Sequence, residues 1–243
     1  MESKRVHRTL LPLGLKRSRG EKALPFGNGL VYGVPKQIPI AEDALCSPVN
    51  PYGMTKLAVE KALSDYYKAY GLSSVSLRYF NACGTEEGYE VGELHSNETH
   101  LIPLAVRAAL DNKVGLSVFG TDYDTKDGTC IRDYIHVSDL AEAHVKALEL
   151  LFQKVACLSL NLSNNEGFSV LEILRSVENV SSTSLDLKYL GRREGDPPVL
   201  IGSCEKTRNL LDWSPRYTEI ESIIDTAYKW QKTGVYENFL KRK

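Results

Sequence analysis

Buried strands and amphipathic helices alternate along this chain, and this alternation limits the fold more than any other feature of its sequence. Residues 52–70 have helical periodicity, and Gly71 follows them as a typical C-terminal cap. Residues 74–80 then read as a buried strand, and further helices and strands alternate to about residue 231. A helix between two strands carries the chain back to the end of the sheet where the first strand began, so the next strand runs parallel to it. The sequence therefore predicts an α/β fold with a largely parallel sheet.

The other predicted elements follow from the same periodicities. Residues 29–33 read as the end of a buried strand, three prolines make residues 34–49 irregular, and residues 81–98 read as a loop. A helix capped at Ser138 or Asp139 is expected to reach about residue 152, and Ser169 is expected to cap a helix to about residue 180. The remaining helices are predicted over 101–110, 205–211 and 219–231, and the remaining strands over 116–120, 158–162 and 185–190.

The composition fits a soluble globular protein and argues against several other classes. The chain has 243 residues, of which 42% are hydrophobic and 25% are charged, and its formal net charge is -1. That charge gives no basic field for nucleic acid, and no apolar run reaches the length that crosses a membrane. The five cysteines are scattered and form no Cys-x-x-Cys pair. They argue against a metal site or a disulfide framework and favour a reducing, cytoplasmic compartment.

Residues 1–25 differ from the rest of the chain. They hold seven basic residues against only two acidic ones, Glu2 and Glu21. Such a composition is found in organelle-targeting segments, and it is also found in disordered or non-native chain starts. We favour the second interpretation and treat residues 26–243 as the folded part.

Tyr52 and Lys56 are the first candidate pair for chemistry. They lie four residues apart at the start of a predicted helix, so both side chains project from one face. An ammonium group beside a phenol stabilises the phenolate, which makes Tyr52 a candidate acid/base. An ordinary surface pair has the same spacing, and spacing alone does not separate the two interpretations.

Polar groups also occur where strands end. Asn81 follows a buried strand, and ligands of open α/β sheets bind outside the carboxyl ends of strands. Arg132 and Arg193 each offer a guanidinium group suited to phosphate. For any single arginine, a solvated salt bridge is the alternative.

Six segments of the sequence resemble one known family. They are Val31-Tyr32-Gly33, Pro51-Tyr52-Gly53-Met54-Thr55-Lys56, Leu77-Arg78-Tyr79-Phe80-Asn81, Thr99-His100-Leu101-Ile102-Pro103, Arg132-Asp133-Tyr134-Ile135-His136-Val137 and Arg192-Arg193-Glu194-Gly195-Asp196. They occur in this order in the UDP-glucose 4-epimerases, which are extended short-chain dehydrogenases/reductases. The resemblance runs from about Leu30 to the C-terminal helix. It implies a partial doubly wound, Rossmann-like sheet with a smaller C-terminal substrate-binding α/β region.

The resemblance also implies an activity, the interconversion of UDP-glucose and UDP-galactose. In that family the sugar loses a hydride from C4 to a tightly held NAD while a tyrosine removes the proton of the 4-hydroxyl group. The resulting 4-keto sugar swings about its phosphate linkage, and hydride and proton return to the opposite face. By resemblance Tyr52 is the base, Lys56 activates it and binds the nicotinamide ribose, and Tyr79 contacts the cofactor.

The nucleotide sugar would be bound by residues from several segments. By resemblance these are Phe80 and Asn81 along the site, His100 and Leu101 at the diphosphate, Ser117 and Phe119 around uracil, Arg132 and Arg193 as a clamp on the diphosphate, Asp196 at the ribose, and Leu200 where a side chain limits the size of the sugar. Family members are often dimers, so we expect a homodimer with the helix of residues 52–70 beside its interface.

Two departures from the family pattern shape the expectations. The sequence contains no Gly-rich strand–turn–helix to hold the pyrophosphate of NAD, and Asn28 stands near the position where the family has a serine that binds the sugar 4-hydroxyl. We therefore expect an incomplete epimerase. One alternative is a catalytically inactive UDP-sugar-binding or dimerisation module. Another is a sugar-nucleotide dehydratase or decarboxylase, which ranks lower because nothing acidic lies near Asn28.

Overall fold

The computed structural model of the chain describes residues 22–235, except residues 90, 96, 112 and 113. Its helices are α1 (Pro51–Tyr70), α2 (Leu101–Leu110), α3 (Val137–Gln153), α4 (Val170–Ser181), α5 (Glu205–Leu211) and α6 (Ile220–Lys232). Its strands are β1 (Lys22–Ala23), β2 (Ser73–Arg78), β3 (Asn81–Cys83), β4 (Leu116–Phe119), β5 (Ile131–Arg132), β6 (Tyr134–His136), β7 (Cys157–Asn161), β8 (Phe168–Ser169), β9 (Leu187–Leu190) and β10 (Val199–Leu200). The predicted α/β class is confirmed.

The strand β2 is the centre of a parallel sheet, with β1 on one side and β7 on the other. Successive side chains of a strand point to opposite faces of its sheet. Val75 and Leu77 share a core cluster with Ala143 of α3, whereas Arg78 pairs with Glu60 of α1. α1 and α3 therefore cover opposite faces of the sheet, as a doubly wound fold requires.

A second core is separate from the one beneath this sheet. It is formed by α2, α4 and α6 together with β4, and its buried side chains are mostly aliphatic. The strand β4 pairs in parallel with β9, and β3 pairs in parallel with β6. The strand β5 lies between β10, which is parallel to it, and β8, which is antiparallel. These short strands carry five of the ten residues assigned to the substrate from the sequence, which are Asn81, Ser117, Phe119, Arg132 and Leu200.

The limits of α1 are set by local groups. The side-chain oxygen of Asn50 accepts a hydrogen bond from the backbone N–H of Gly53 at 2.8 Å, and Pro51 occupies the first helical turn. At the other end Gly71 adopts φ = 72°, the left-handed conformation in which its N–H reaches the carbonyl of Tyr67. Tyr52 and Lys56 consequently lie in the first two turns of a helix with a well-defined start.

Three details of the predicted elements are wrong. Gly29–Tyr32 form a 3₁₀ turn instead of the end of a strand, because the Asn28 side chain caps the Leu30 N–H at 2.7 Å. The predicted loop 81–98 contains β3, which pairs with a strand 53 residues further along the chain (Asn81 with Tyr134). The third helix begins at Val137, with His136 accepting from the Ser138 N–H, so neither Ser138 nor Asp139 is its cap.

The N-terminal part of the chain is described only from Lys22. Residues 1–21 of the segment predicted to be disordered lie outside the described residues, and Lys22–Ala23, which that prediction also included, form β1. Among the residues from 22 to 235 that are described, no helix combines the length and apolar character needed to cross a membrane.

Candidate functional site

Tyr52 and Lys56 lie side by side on α1. The Lys56 ammonium is 5.3 Å from the centroid of the Tyr52 ring, and it donates a hydrogen bond to the carbonyl of Phe26 at 3.2 Å. The Tyr52 side chain is 51% exposed, so its phenol is open to a ligand. Tyr79 is near enough to interact with it. Burial raises the pKa of Tyr79, and the neighbouring Tyr52 adds to the rise.

A buried ion pair fixes the helix that carries this tyrosine. Arg78 at the end of β2 contacts Glu60 of α1 through Nη2 at 2.5 Å and through Nε at 3.0 Å. Its Nη1 donates to the phenol oxygen of Tyr32 at 2.7 Å. Burial disfavours the charged form of Arg78, but Glu60 and Tyr32 outweigh burial and raise its pKa, while burial raises the pKa of Tyr32 to about 12. No local pattern in the sequence identifies Glu60 as the partner of Arg78, because the two residues lie 18 positions apart on different elements.

The network continues into the neighbouring strand. The Tyr32 hydroxyl donates to the side-chain oxygen of Asn161 at 2.8 Å, and the Asn161 amide donates to the carbonyl of Ile40 at 2.8 Å. Glu42 accepts the backbone N–H of Asn161 at 2.8 Å. The irregular segment before α1 is thereby tied to β7, although the segment has hardly any regular structure of its own.

Phe80 and Leu200 lie in the core cluster that contains Tyr32 and Ile40 of this network, and Leu200 also pairs with Arg132 across β10 and β5. Phe80 packs so tightly on backbone that a Cβ atom at Gly29 would lie 2.3 Å from its ring. Leu200 is 2% exposed and belongs to a core cluster with Val31 and Leu57. Asn28, the residue near the family's serine position, is buried and uses its side-chain oxygen to cap the 3₁₀ turn.

A cavity of about 510 Å³ brings together eight of the residues that were assigned to the substrate. It lies between β3, β4, β5 and the start of α2. The eight are Asn81, His100, Leu101, Ser117, Phe119, Arg132, Arg193 and Asp196. Its lining does not include Tyr52, Lys56, Tyr79, Phe80 or Leu200.

Two guanidinium groups line the cavity, and they make different contacts. Arg132 is largely buried, forms an ion pair with Asp196 and donates from Nη1 to the carbonyl of Ile131 at 2.7 Å. Arg193 lies over the face of Phe119, with 3.9 Å between its central carbon and the ring centroid. Such a stack is favourable because the ring face is electron-rich. Asp196, which was assigned to the ribose, contacts an arginine in this structure.

Acidic residues that the sequence analysis missed surround His100. Glu93 and Glu98 each place a carboxylate oxygen 2.8 Å from its Nδ1. The hydrogen bond with Glu93 is the largest cause that raises the pKa of His100, to about 9. Burial disfavours the charge on Glu98, but hydrogen bonds from His100 and Thr99 outweigh burial and lower its pKa. The only signal in the sequence was their proximity, two and seven residues before His100.

Asn81 lines the cavity, and a hydrogen bond holds its side chain in place. Its side-chain amide donates to the backbone carbonyl of Asp133 at 2.9 Å. The carboxyl group of Asp133 is buried and accepts the N–H groups of Gly202 at 3.1 Å and Asn164 at 3.2 Å. Burial raises the pKa of Asp133 to about 7, although these hydrogen bonds and one with Ser163 oppose the rise.

The sequence profile of the NAD dependent epimerase/dehydratase family matches residues 7–161, which is more than half of the chain. The chain belongs to this family. A UDP-glucose 4-epimerase of Rhizobium leguminosarum bv. trifolii is 45% identical over 223 residues, a span that covers 91% of this chain and 68% of that protein. The predicted resemblance is thereby confirmed.

Solved structures of family members share the fold of this chain. A UDP-glucose 4-epimerase from Brucella ovis in complex with NAD is 44% identical, with a TM-score of 0.83, over 86% of this chain and 64% of that one. One from Bifidobacterium longum, in complex with NAD+ and UDP, is 30% identical, with a TM-score of 0.85, over 94% of this chain and 67% of that one. The chain thus spans about two thirds of the length of these relatives.

Proposed function

We propose that this chain acts as an NAD-dependent UDP-glucose 4-epimerase that interconverts UDP-glucose and UDP-galactose. The observation that carries the proposal is the cavity between β3, β4 and β5. Two arginines, an aromatic ring and several polar groups line it, which is the chemistry that a nucleoside diphosphate requires. The relatives named above agree with this substrate class.

The residues on α1 fit one end of the cofactor. Tyr52 and Lys56 expose a phenol and an ammonium group beside each other, as the nicotinamide ribose requires. The sequence has no Gly-rich turn for the pyrophosphate, so the fit extends only to the nicotinamide end. When bound there, NAD supplies a reversible hydride acceptor.

The reaction would divide between the two groups of residues. As a phenolate, Tyr52 takes the proton of the sugar 4-hydroxyl and is a neutral phenol until it returns a proton. The charge of Lys56 stabilises the phenolate before the first transfer and after the second. Arg132 and Arg193 hold the diphosphate, so that the sugar can turn while the nucleotide stays bound. Because Arg193 covers Phe119, a stacked uracil uses the other face of the ring or displaces the guanidinium. Asp196 orients Arg132.

The test combines cofactor release with turnover. The purified chain is denatured, released NAD is quantified by enzymatic cycling, and conversion of UDP-galactose is assayed on native protein. We expect bound NAD and turnover, and we expect Tyr52→Phe to abolish turnover. Tyr189→Phe is the matched control, since this tyrosine is 57% exposed on β9 and lies outside the cavity lining. Unchanged turnover in Tyr52→Phe would remove its assignment as base.

A second candidate is a UDP-sugar-binding module without catalysis. It is favoured by one observation, that Tyr52 and Lys56 are not part of the cavity lining. In this case UDP binds with no bound NAD and no turnover.

We also propose that the chain is a homodimer with α1 beside the interface, since Met54 and Tyr70 of α1 expose apolar surface. Light scattering of the purified protein tests this. Free cysteines support a reducing compartment such as the cytoplasm.

A further inference from the structure

Two histidines and two glutamates converge in the loop before α2. One ligand atom from each of Glu93, His95, Glu98 and His100 lies within 4.8 Å of the others. His95 Nδ1 is 3.2 Å from Glu93 and 3.3 Å from Glu98. His100 Nδ1 is 2.8 Å from each of the same two carboxylates. Both imidazoles therefore aim the same ring nitrogen at the same two acids.

These separations match the edges of a tetrahedral metal site. Zinc binds histidine nitrogen and carboxylate oxygen at about 2.0–2.2 Å, which makes the distance between neighbouring ligand atoms about 3.3–3.6 Å. The four histidine–carboxylate distances run from 2.8 to 3.3 Å, and Glu98 faces His95 through Oε2 and His100 through Oε1. One ligand atom of each residue lies within 4.8 Å of the other three, so side-chain shifts of up to about 1 Å would bring all four groups to bonding distance of one central ion.

Glu98, the buried member of the cluster, is already oriented by backbone hydrogen bonds. The Glu98 side chain is fully buried, and its Oε1 accepts the backbone N–H groups of Thr99 and His100 at 2.8 Å each. Hydrogen bonds of this kind orient metal ligands in known sites. A simple surface ion pair would need one histidine and one glutamate, whereas here two histidines each contact the same two glutamates, and one of these, Glu98, is held in a fixed orientation.

We propose that Glu93, His95, Glu98 and His100 bind one divalent transition-metal ion, with zinc as the best match to two imidazoles and two carboxylates. The ion would fasten the loop to the start of α2. Because Glu98 and His100 also line the cavity, the site would set the shape of the cavity rim. The proposal does not depend on epimerase activity, since its test measures metal binding.

The experiment uses the full 243-residue chain without a polyhistidine tag, freed of metal by a chelator and then titrated with Zn²⁺ by calorimetry. We expect one saturable site. His95→Gln and His100→Gln, both at exposed side chains, should each weaken Zn²⁺ binding at least tenfold, and the double variant should lose the site. His144→Gln is the matched control, because this histidine bonds the Leu140 carbonyl on α3, and its affinity should be unchanged.

Two further readouts separate this site from other sources of binding. Zn²⁺ should raise the Tm of the wild-type chain and leave that of the double variant unchanged. Co²⁺ in place of Zn²⁺ should give a tetrahedral visible spectrum without thiolate charge-transfer bands. Absence of a saturable site in the wild-type chain, equal binding by the double variant, or thiolate bands from the free cysteines would each overturn the proposal.

Discussion

Arg78 and Glu60 form a buried ion pair that joins β2 to α1. Their side chains are 6% and 8% exposed, and the guanidinium meets the carboxylate through both Nε and Nη2. Glu60 lies two helical turns from Tyr52, so the pair fixes the helix on which the proposed base is carried. The Tyr32 hydroxyl completes the contacts of the guanidinium.

Glu60→Gln should lower the free energy of unfolding by about 3–5 kcal/mol, because it leaves a buried guanidinium without its counter-charge. Urea unfolding followed by circular dichroism measures the loss. Asp65→Asn, in an exposed pair with Lys68 on the same helix, is the control and should change stability by less than about 0.5 kcal/mol. Equal effects of the two changes would contradict a special role for the buried pair.

Asp133 should make stability fall as the pH rises. Its folded pKa of about 7 lies above the ordinary value of 3.8, so between these pH values the folded chain holds a proton that the unfolded chain has lost. This contribution is fully present below the unfolded pKa and is lost as the pH rises through the folded one. The free energy of unfolding should decline by up to about 1.4 kcal/mol per pH unit between these values.

The Asp133→Asn variant isolates this effect. Its side-chain oxygen can accept a hydrogen bond, as an Asp133 carboxyl oxygen accepts one from the Ser163 hydroxyl, but the amide does not titrate. Urea unfolding at several pH values from 4 to 8 should show a shallower decline for the variant than for the wild-type chain. Parallel curves would show that Asp133 has an ordinary pKa in the folded chain.

Asn50→Ala should destabilise the chain by about 1 kcal/mol, because it removes the side chain that accepts the Gly53 N–H at the start of α1. Asn50→Asp keeps an acceptor at the same position and should retain most of the stability. Thermal unfolding compares the two variants. A loss in Asn50→Asp as large as that in Asn50→Ala would indicate that the cap is not the cause.

Arg132→Met should weaken UDP binding by about ten- to a hundredfold, since a charge-assisted hydrogen bond contributes about 1.5–3 kcal/mol. Isothermal titration with UDP measures the change. Arg192→Met is a close control, because this arginine pairs with exposed Asp122 and stacks on Tyr123 outside the cavity lining. If both variants bind UDP equally, the cavity is not the nucleotide site.

Much of the fold was predictable because its signals are local. The capping group Asn50, the turn residue Gly71 and the spacing of Tyr52 and Lys56 all act within a few residues, and α1 begins and ends within one residue of the prediction. The Ser169 cap was predicted for the same reason, and the structure adds the reciprocal bond from Glu172. The errors at 29–33 and 136–139 arose where a side chain capped a turn that periodicity does not reveal.

By itself the sequence determined the α/β class, the helix that carries Tyr52 and Lys56, and the resemblance that assigned residues to the substrate. Only the tertiary structure decided which distant groups meet. It placed Glu60 against Arg78, Asp196 against Arg132, and Glu98 between two histidines. The physical reason is the range of the interactions: caps and periodic faces depend on neighbouring residues, whereas buried ion pairs and cavities depend on packing between elements far apart in the chain.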